Sequence, residues 1–254
     1  MAKPNCIELP ESEPIPILFE DRSVLAIDKP RGWMLVPHSW QKTSFNLQAA
    51  IASSIAAGDF WARSRGLKFL RHVHRLDADT SGILLFSKSI GAMQVISYLF
   101  EDRRMEKTYL AVVTGTPAET EWLCQFKLGP DPRQFGRMQV DFHTGKTAET
   151  NFKVLATKDR FTLVEARPIT GRTHQIRVHL SACRLPIVGD ELYGEPEKDL
   201  PLGLRAVRLR FMNPFTKRCV DIRAPQEEFL RTYGFERGAA TQPTPRPPAE
   251  KTAP

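Results

Sequence analysis

The stretch His74-Arg75-Leu76-Asp77-Ala78-Asp79-Thr80-Ser81-Gly82 is followed directly by the apolar run Ile83-Leu84-Leu85-Phe86. The apolar run predicts a buried strand, and the polar residues before it predict a loop at the strand's edge. Gly82 gives the backbone the freedom to make an unusual turn at this junction. Asp77 would lie beside an arginine, where a carboxylate stays ionised and can act as a nucleophile or a base. A simple polar turn before a core strand is the alternative interpretation.

Two helices are predicted on either side of this stretch. Ser44 is placed to cap a helix through Ala57, which Gly58 would end. Ser89 is placed to cap a second helix, and its apolar residues recur at a spacing that indicates one core-facing side. The apolar residues of that second helix are Met93, Ile96, Leu99 and Phe100.

Strand patterns are spread along the rest of the chain. Residues 24–27 predict a short buried strand, and further strands are predicted at residues 109–113, 161–166 and 219–223. Val207, Leu209 and Phe211 alternate with arginines, which is typical of a strand with one buried face. The irregular order of helices and strands favours an α+β domain built on a mixed, largely antiparallel sheet flanked by helices.

The length and the two ends predict one folded domain. A chain of 254 residues can bury a full core. Residues 1–16 contain four prolines and several acids, so we expect a flexible N-terminal lead-in. Residues 237–254 contain five prolines and no aromatic residue, so we expect a disordered tail. The folded domain is therefore expected at residues 17–236, and we expect a monomer.

The composition predicts a protein that neither spans nor is exported across a membrane. Apolar residues make up 41% and charged residues 26% of the chain, close to globular averages. No apolar stretch approaches the roughly 20 residues that a membrane helix needs. The N-terminus lacks the apolar core of a secretory signal, so we expect a cytoplasmic protein.

The pattern of potential ligands predicts neither a metal nor a cofactor. The four cysteines, at positions 6, 124, 183 and 219, form no C-x-x-C pair. His72-x-His74 and the pair His174 and His179 lack a third ligand at a matching spacing. No G-x-G-x-x-G loop is visible, so no nucleotide cofactor is expected. The formal net charge of +7 is compatible with a nucleic-acid partner without proving one.

Six segments, in order along the chain, resemble those of the RluA-type pseudouridine synthases, which isomerise uridine in RNA to its C-linked form. The resemblance extends from about residue 17 to residue 225. It implies a curved sheet flanked by helices, with an RNA-binding cleft across it. The six segments are the stretch at 74–82, Ile27-Asp28-Lys29-Pro30-x-Gly32 with Val36-Pro37, Lys107-Thr108-Tyr109-x-Ala111, Gly145-Lys146-x-Ala148-x-Thr150, Gly171-Arg172-Thr173-His174-Gln175-Ile176-Arg177-x-His179, and Gly189-Asp190-x-x-Tyr193-Gly194.

The resemblance also implies roles for three residues. Asp77 would be the catalytic carboxylate, and Tyr109 would pack on the uracil ring. Arg177 would pair with Asp77, and a guanidinium there would favour the ionised acid. Thr173 as a helix cap would put Arg177 beside the apolar face of its helix, which makes burial at the cleft plausible.

The same resemblance implies RNA contacts near the cleft. Arg75 would contact RNA next to a flipped nucleotide, because a base inside a helix must be extruded before such chemistry. His74 belongs to the same stretch and is a second candidate for RNA binding. Further candidates for phosphate contacts are Lys29, Arg172, Lys146, Arg31 and Arg137.

Three functions are consistent with these patterns. The first is a cofactor-free RNA pseudouridine synthase that acts on ribosomal or transfer RNA, in a short, single-domain form without the S4 RNA-binding domain that such enzymes often carry. The second is an RNA-binding module on the same fold that has lost catalysis. The third is a metal-dependent hydrolase. Retention of Asp77, Tyr109 and Arg177 together favours the first, because a binding module needs basic and aromatic surface but no buried acid.

Overall fold

The computed structural model describes residues 3–10, 12–35, 45–194, 197 and 200–236 of the chain. In these residues the chain forms thirteen strands and five helices. The strands are β1 (Cys6–Ile7), β2 (Ile15–Glu20), β3 (Val24–Lys29), β4 (Arg71–His72), β5 (Ser81–Ser87), β6 (Glu106–Thr114), β7 (Glu121–Cys124), β8 (Leu128–Pro130), β9 (Met138–Val140), β10 (Thr150–Lys158), β11 (Phe161–Pro168), β12 (Leu204–Met212) and β13 (Cys219–Arg223). The helices are α1 (Leu47–Ala57), α2 (Phe60–Arg63), α3 (Ile90–Glu101), α4 (Gln175–Ala182) and α5 (Glu227–Thr232).

Eleven of the strands form one sheet, in the order β1-β2-β3-β5-β12-β6-β11-β10-β7, with β4 added to β5 and β13 added to β12. Strands β8 and β9 form a separate hairpin. Among the described strands every pairing is antiparallel except that of β5 with β12. The predicted α+β fold with a mixed, largely antiparallel sheet is confirmed.

The core lies on both faces of this sheet because its central strands alternate their side chains between two helices. In β5, Leu84 and Phe86 pack on the α1 side, while Ile83 and Leu85 pack on the α3 side. All seven residues of β5 are buried, including the apolar run at 83–86 that predicted this strand. The second half of the sheet repeats this arrangement with α4 on one face and α5 on the other.

The β5–β12 pairing depends on Gly82. The parallel register sets Gly82 opposite Ala206, and the glycine φ is +110°. A Cβ at this position would lie 2.1 Å from the carbonyl oxygen of Ala206, so no side chain fits. The unusual backbone predicted at this junction is confirmed. It sets the loop before β5 close to β6, because Ala206 also pairs with Tyr109.

The two predicted helix starts have different outcomes. Ser89 caps α3, and its Oγ accepts a hydrogen bond from the Ala92 N–H at 3.2 Å, as predicted. The first helix begins later than predicted, at Leu47, and its cap is Asn46, whose side chain accepts from the Ala49 N–H. Ser44 lies outside the described residues. Gly58 ends α1 in the left-handed conformation, as expected of a C-terminal cap.

The beginning of the chain differs from the expected flexible lead-in over residues 1–16. Strand β1 pairs with β2, and Ile7, Leu9 and Ile15 are buried in the core beneath α1. These apolar side chains are few and are interspersed with acids and prolines, but each one packs in the core. The predicted tail at 237–254 lies outside the described residues.

Candidate active site

Asp77 lies where two cavities meet. It belongs to the loop between β4 and β5, and its side chain is 17% exposed. The larger cavity has a volume of about 490 Å³ and the smaller one about 340 Å³. Arg75, Leu76, His174 and Arg177 line both cavities together with Asp77. A carboxylate here can therefore reach molecules in either cavity.

Arg177 brings a buried guanidinium to this carboxylate. Its Nε and Nη2 each donate to a carboxylate oxygen of Asp190 at 2.8 Å, and its Nη1 lies 3.4 Å from Asp77 Oδ2. Burial alone would lower the pKa of Arg177, but the hydrogen bonds and the charge of Asp190, together with the charge of Asp77, hold this pKa above its ordinary value. Arg177 is thus a permanent cation with one fully buried partner and one partner in the cleft.

Sequence reasoning identified Arg177 but missed Asp190. Asp190 is completely buried and also accepts hydrogen bonds from the backbone N–H groups of Leu192 and Tyr193. The segment Gly189-Asp190-x-x-Tyr193-Gly194 predicts no role for Asp190 beyond its family resemblance. A buried guanidinium that makes a bidentate pair with one carboxylate is firmly oriented. Asp190 therefore fixes the group that faces Asp77.

The predicted cap of α4 is wrong. His174, not Thr173, occupies the N-cap position, in the left-handed conformation with φ of 53°. The preceding loop is instead organised by Gln175, whose side-chain oxygen accepts from the Arg172 N–H at 2.9 Å and from the Thr170 hydroxyl at 2.6 Å. This local network replaces a side-chain cap, and it turns His174 toward the cavities.

His174 connects Asp77 to the β8–β9 hairpin. The hydroxyl oxygen of Tyr193 accepts from the Met138 N–H and lies 2.8 Å from His174 Nδ1. Its own hydrogen can then be donated to Nδ1, which places the ring proton on Nε2, 3.8 Å from Asp77 Oδ1. Burial lowers the pKa of His174, against the opposing charge of Asp77, so the ring is neutral at pH 7. Sequence reasoning gave this histidine no role.

Tyr109 and Lys107 both project from β6 into the larger cavity. Burial and the charge of Asp77 raise the pKa of Tyr109 above its ordinary value, so its hydroxyl keeps its proton. The Lys107 ammonium donates to the Thr170 carbonyl at 3.2 Å, and burial together with the charge of Arg103 lowers the pKa of Lys107 to about 8. Sequence reasoning found the tyrosine but not the lysine two residues before it.

Of the predicted RNA contacts, Lys29 lies in the interior and His74 is half-buried. Lys29 is completely buried, and its ammonium donates to the carbonyls of Pro30, Ala78 and Thr80. It cannot reach a phosphate, and it holds the loop that carries Asp77.

His74 accepts the Leu85 N–H on Nε2 at 3.0 Å and stacks on Phe100. Burial, followed by the charge of Lys107, lowers its pKa to about 3. His74 lines the larger cavity but carries no charge there, which disfavours the predicted role as a phosphate contact.

Three of the other predicted RNA contacts, Arg75, Arg172 and Lys146, are exposed, while Arg31 and Arg137 are half-buried. Arg75 lies at the mouth shared by the two cavities. Arg172 lines the larger cavity, and its Nε donates to the Thr147 carbonyl. Lys146 is exposed but lines neither cavity, because its backbone pairs with Leu128 at the edge of the hairpin.

Within the described residues, no three histidine, cysteine, aspartate or glutamate side chains cluster closely enough to hold a metal ion. No helix in the described parts of the chain is both long enough and apolar enough to cross a membrane.

Comparison with known proteins gives one family. A profile described as RNA pseudouridylate synthase matches residues 23–182. An uncharacterized RNA pseudouridine synthase of Bacillus subtilis is 34% identical over 232 residues, which cover 89% of this chain and 74% of the relative. The ribosomal large subunit pseudouridine synthase D of Borreliella burgdorferi is 31% identical and covers 85% of this chain and 69% of its own length. The solved structure of human RNA pseudouridylate synthase domain containing 1 superposes with a TM-score of 0.66 at 28% identity, covering 83% of each chain.

Proposed function

This chain belongs to the RNA pseudouridylate synthase family, and from that premise we propose that it isomerises specific uridines in ribosomal or transfer RNA, with Asp77 as the catalytic carboxylate. As an RNA pseudouridine synthase it is an isomerase. The bond between N1 of uracil and C1′ of ribose breaks, the base turns, and a bond between C5 and C1′ forms. The hydrogen leaves C5, and N1 takes up a proton. No oxidant, reductant or energy source enters this balance.

The assignment of Asp77 as the catalytic carboxylate rests on one observation. A partly exposed carboxylate lies where two cavities meet, and the buried, permanently charged Arg177 lies 3.4 Å away. A nearby guanidinium favours the ionised form of a carboxylate, which can attack the substrate covalently or stabilise a cationic sugar. A module that only bound RNA would have no use for a buried Arg177–Asp190 pair directed at an acid.

The groups around Asp77 suggest roles for two other side chains. Tyr109 offers a protonated, aromatic wall on which a uracil ring can pack. Arg177 orients Asp77 and balances its charge. We place the target uridine in the larger cavity because Tyr109 and Asp77 both line it.

Entry of the uridine requires that it leave its helix or loop stack, at a cost of a few kcal/mol. Arg75 at the mouth can offset part of that cost by contact with the RNA backbone. Ribosomal RNA is the first candidate substrate, because the similar synthase D is named for the large ribosomal subunit. That the protein is a monomer and acts in the cytoplasm stays a prediction.

The test is pseudouridine mapping of total RNA from a strain without this gene, after return of the wild-type gene or of Asp77→Asn. We expect the wild type to restore pseudouridine at one or a few positions in ribosomal or transfer RNA. Asp77→Asn should restore none, while binding RNA within a few fold of the wild type, because cations supply most of the affinity. Restoration by Asp77→Asn would remove Asp77 from the chemistry.

A further inference from the structure

Phe135 is the most exposed large apolar side chain among the described residues, at 91%. It lies in the turn between β8 and β9 and, with Gly136, lines the smaller cavity that Asp77 also lines. Exposure of a whole aromatic ring to water is unfavourable for a protein alone. Its position at the rim of the catalytic cavity indicates a surface that a ligand covers.

The turn that carries Phe135 is anchored on both sides. On the β8 side, the buried Asp131 accepts the Arg133 N–H at 3.0 Å and forms an ion pair with the Arg133 side chain. On the β9 side, Met138 donates to Tyr193, which in turn contacts His174 beside Asp77. The turn that carries the ring is therefore held at a defined place relative to Asp77.

The charges beside Phe135 identify the class of ligand. Arg133 and Arg137 flank the turn, with side chains 82% and 38% exposed. The Arg137 guanidinium also lies over the Tyr193 ring, 5.4 Å from its centre, which keeps it near the cavity. An exposed aromatic ring between two arginines suits a single-stranded nucleic acid, because bases stack on the ring while phosphates meet the cations.

We propose that Phe135 stacks on a nucleobase that neighbours the target uridine, and that Arg133 and Arg137 contact the adjacent phosphates. The proposal rests on the proposed function and extends it to a second base-binding site. The target uridine occupies the larger cavity beside Tyr109, so the smaller cavity on the other side of Asp77 is left for a neighbouring nucleotide. This site would select RNA in which that neighbour is also unstacked.

The experiment compares the affinity of the full chain for two labelled probes, a short oligouridine and an abasic oligomer with the same sugar-phosphate backbone. Phe135→Ala should weaken oligouridine binding about tenfold, since it removes one stacked base. It should leave binding to the abasic oligomer unchanged. Phe135→Trp should bind oligouridine at least as well as the wild type. Phe215→Ala is the matched control, since Phe215 is 50% exposed in the β12–β13 turn and lines neither cavity.

Equal affinities of Phe135→Ala and Phe215→Ala for oligouridine would overturn the proposal. An equal loss on both probes would do the same, because it would indicate a change in the backbone path instead of stacking. Tritium release from RNA labelled at C5 of uridine, isolated from a strain without this gene, tests the isomerisation separately. If the wild-type protein releases no tritium, the proposed function is contradicted. The role of Phe135 is still decided by comparing the loss of affinity of Phe135→Ala for oligouridine with its loss for the abasic oligomer.

Discussion

The cations near Asp77 fall into two groups that differ in burial. Lys29 and Arg177 are 0% and 4% exposed, and their donors are directed at protein carbonyls and carboxylates. Arg75 is exposed and lines both cavities, and the Arg133 side chain is 82% exposed in the turn that carries Phe135. The buried cations can only shape the protein, while the exposed ones are available to an RNA backbone. The structure thus separates the charges that hold Asp77 and its loop in place from the exposed charges that we propose attract the RNA.

Among substitutions of these cations, we expect Arg177→Met to cause the largest loss of stability and turnover. The substitution leaves the fully buried Asp190 without its partner, and loss of one member of such a pair costs about 3–5 kcal/mol. Both the free energy of unfolding, measured in urea, and the turnover should fall. Arg177→Lys keeps the charge but loses the planar fork, so we expect a milder loss of stability with much reduced turnover.

Arg208→Met is the matched control for Arg177→Met. Arg208 also forms a close ion pair, with Asp221, but the two side chains are 38% and 30% exposed on the face of the sheet. Surface pairs of this kind contribute about 0–1 kcal/mol. If the two Met variants unfolded at the same urea concentration, the Arg177–Asp190 pair would have no special weight in the fold.

Lys29 allows a test by pH. Burial lowers its pKa from 10.5 to about 8, against the charges of Asp79 and Asp77, which raise it. Between pH 8 and 10.5 the unfolded chain then binds more protons at this site than the folded one, so Lys29 makes stability rise with pH in that window, by up to about 3 kcal/mol. Below pH 8 both states are protonated, and this contribution is constant.

Lys29→Met should therefore flatten the rise in unfolding free energy above pH 8. Lys107, whose pKa is also lowered to about 8, contributes equally to both proteins and cancels in the comparison. Turnover should fall as well, because the carbonyls of Ala78 and Thr80 lose the donor that holds the Asp77 loop. Parallel stability profiles for the wild type and the variant would show that Lys29 keeps its ordinary pKa.

The sequence predicted the parts of this site that depend on local pattern. The apolar run after Gly82 predicted β5, and the polar stretch before it predicted the loop that carries Asp77. The burial of Lys29 was not predictable in this way, because a lysine between Asp28 and Pro30 has the pattern of an exposed turn. Two of its three carbonyl partners are contributed by residues 49 and 51 positions further along the chain. Only the complete sheet brings them together.

Asp190 and His174 were missed for a similar reason. The role of Asp190 depends on the direction of the Arg177 side chain, and the spacing of 13 residues has no helical or strand period. His174 faces Asp77 because its backbone is left-handed, a conformation that is uncommon for residues other than glycine. Neither property has a signal in a single sequence.

Among the exposed cations, Arg75→Gln should have a moderate effect on RNA binding. Removal of one phosphate contact lowers the steepness of the salt dependence by about one unit and weakens binding severalfold at low salt. The urea midpoint should stay unchanged, because Arg75 is exposed at the cavity mouth. Titration of a labelled oligouridine at several salt concentrations measures both quantities. A loss of affinity with an unchanged salt dependence would contradict a phosphate contact.

Lys146→Gln should have the smallest effect, although Lys146 belongs to a segment with a family resemblance. Lys146 is exposed and lines neither cavity, so an RNA centred on Asp77 reaches it only if the bound strand continues along the edge of the β8–β9 hairpin. Lys217→Gln, in the exposed β12–β13 turn, makes the same change in net charge and is the control. The same salt titration should give equal affinities for these two variants. If Lys146→Gln instead weakened binding as much as Arg75→Gln, the bound RNA would extend past Phe135 along the hairpin. The exposed cations that contact RNA would then cover a longer surface than the two cavities.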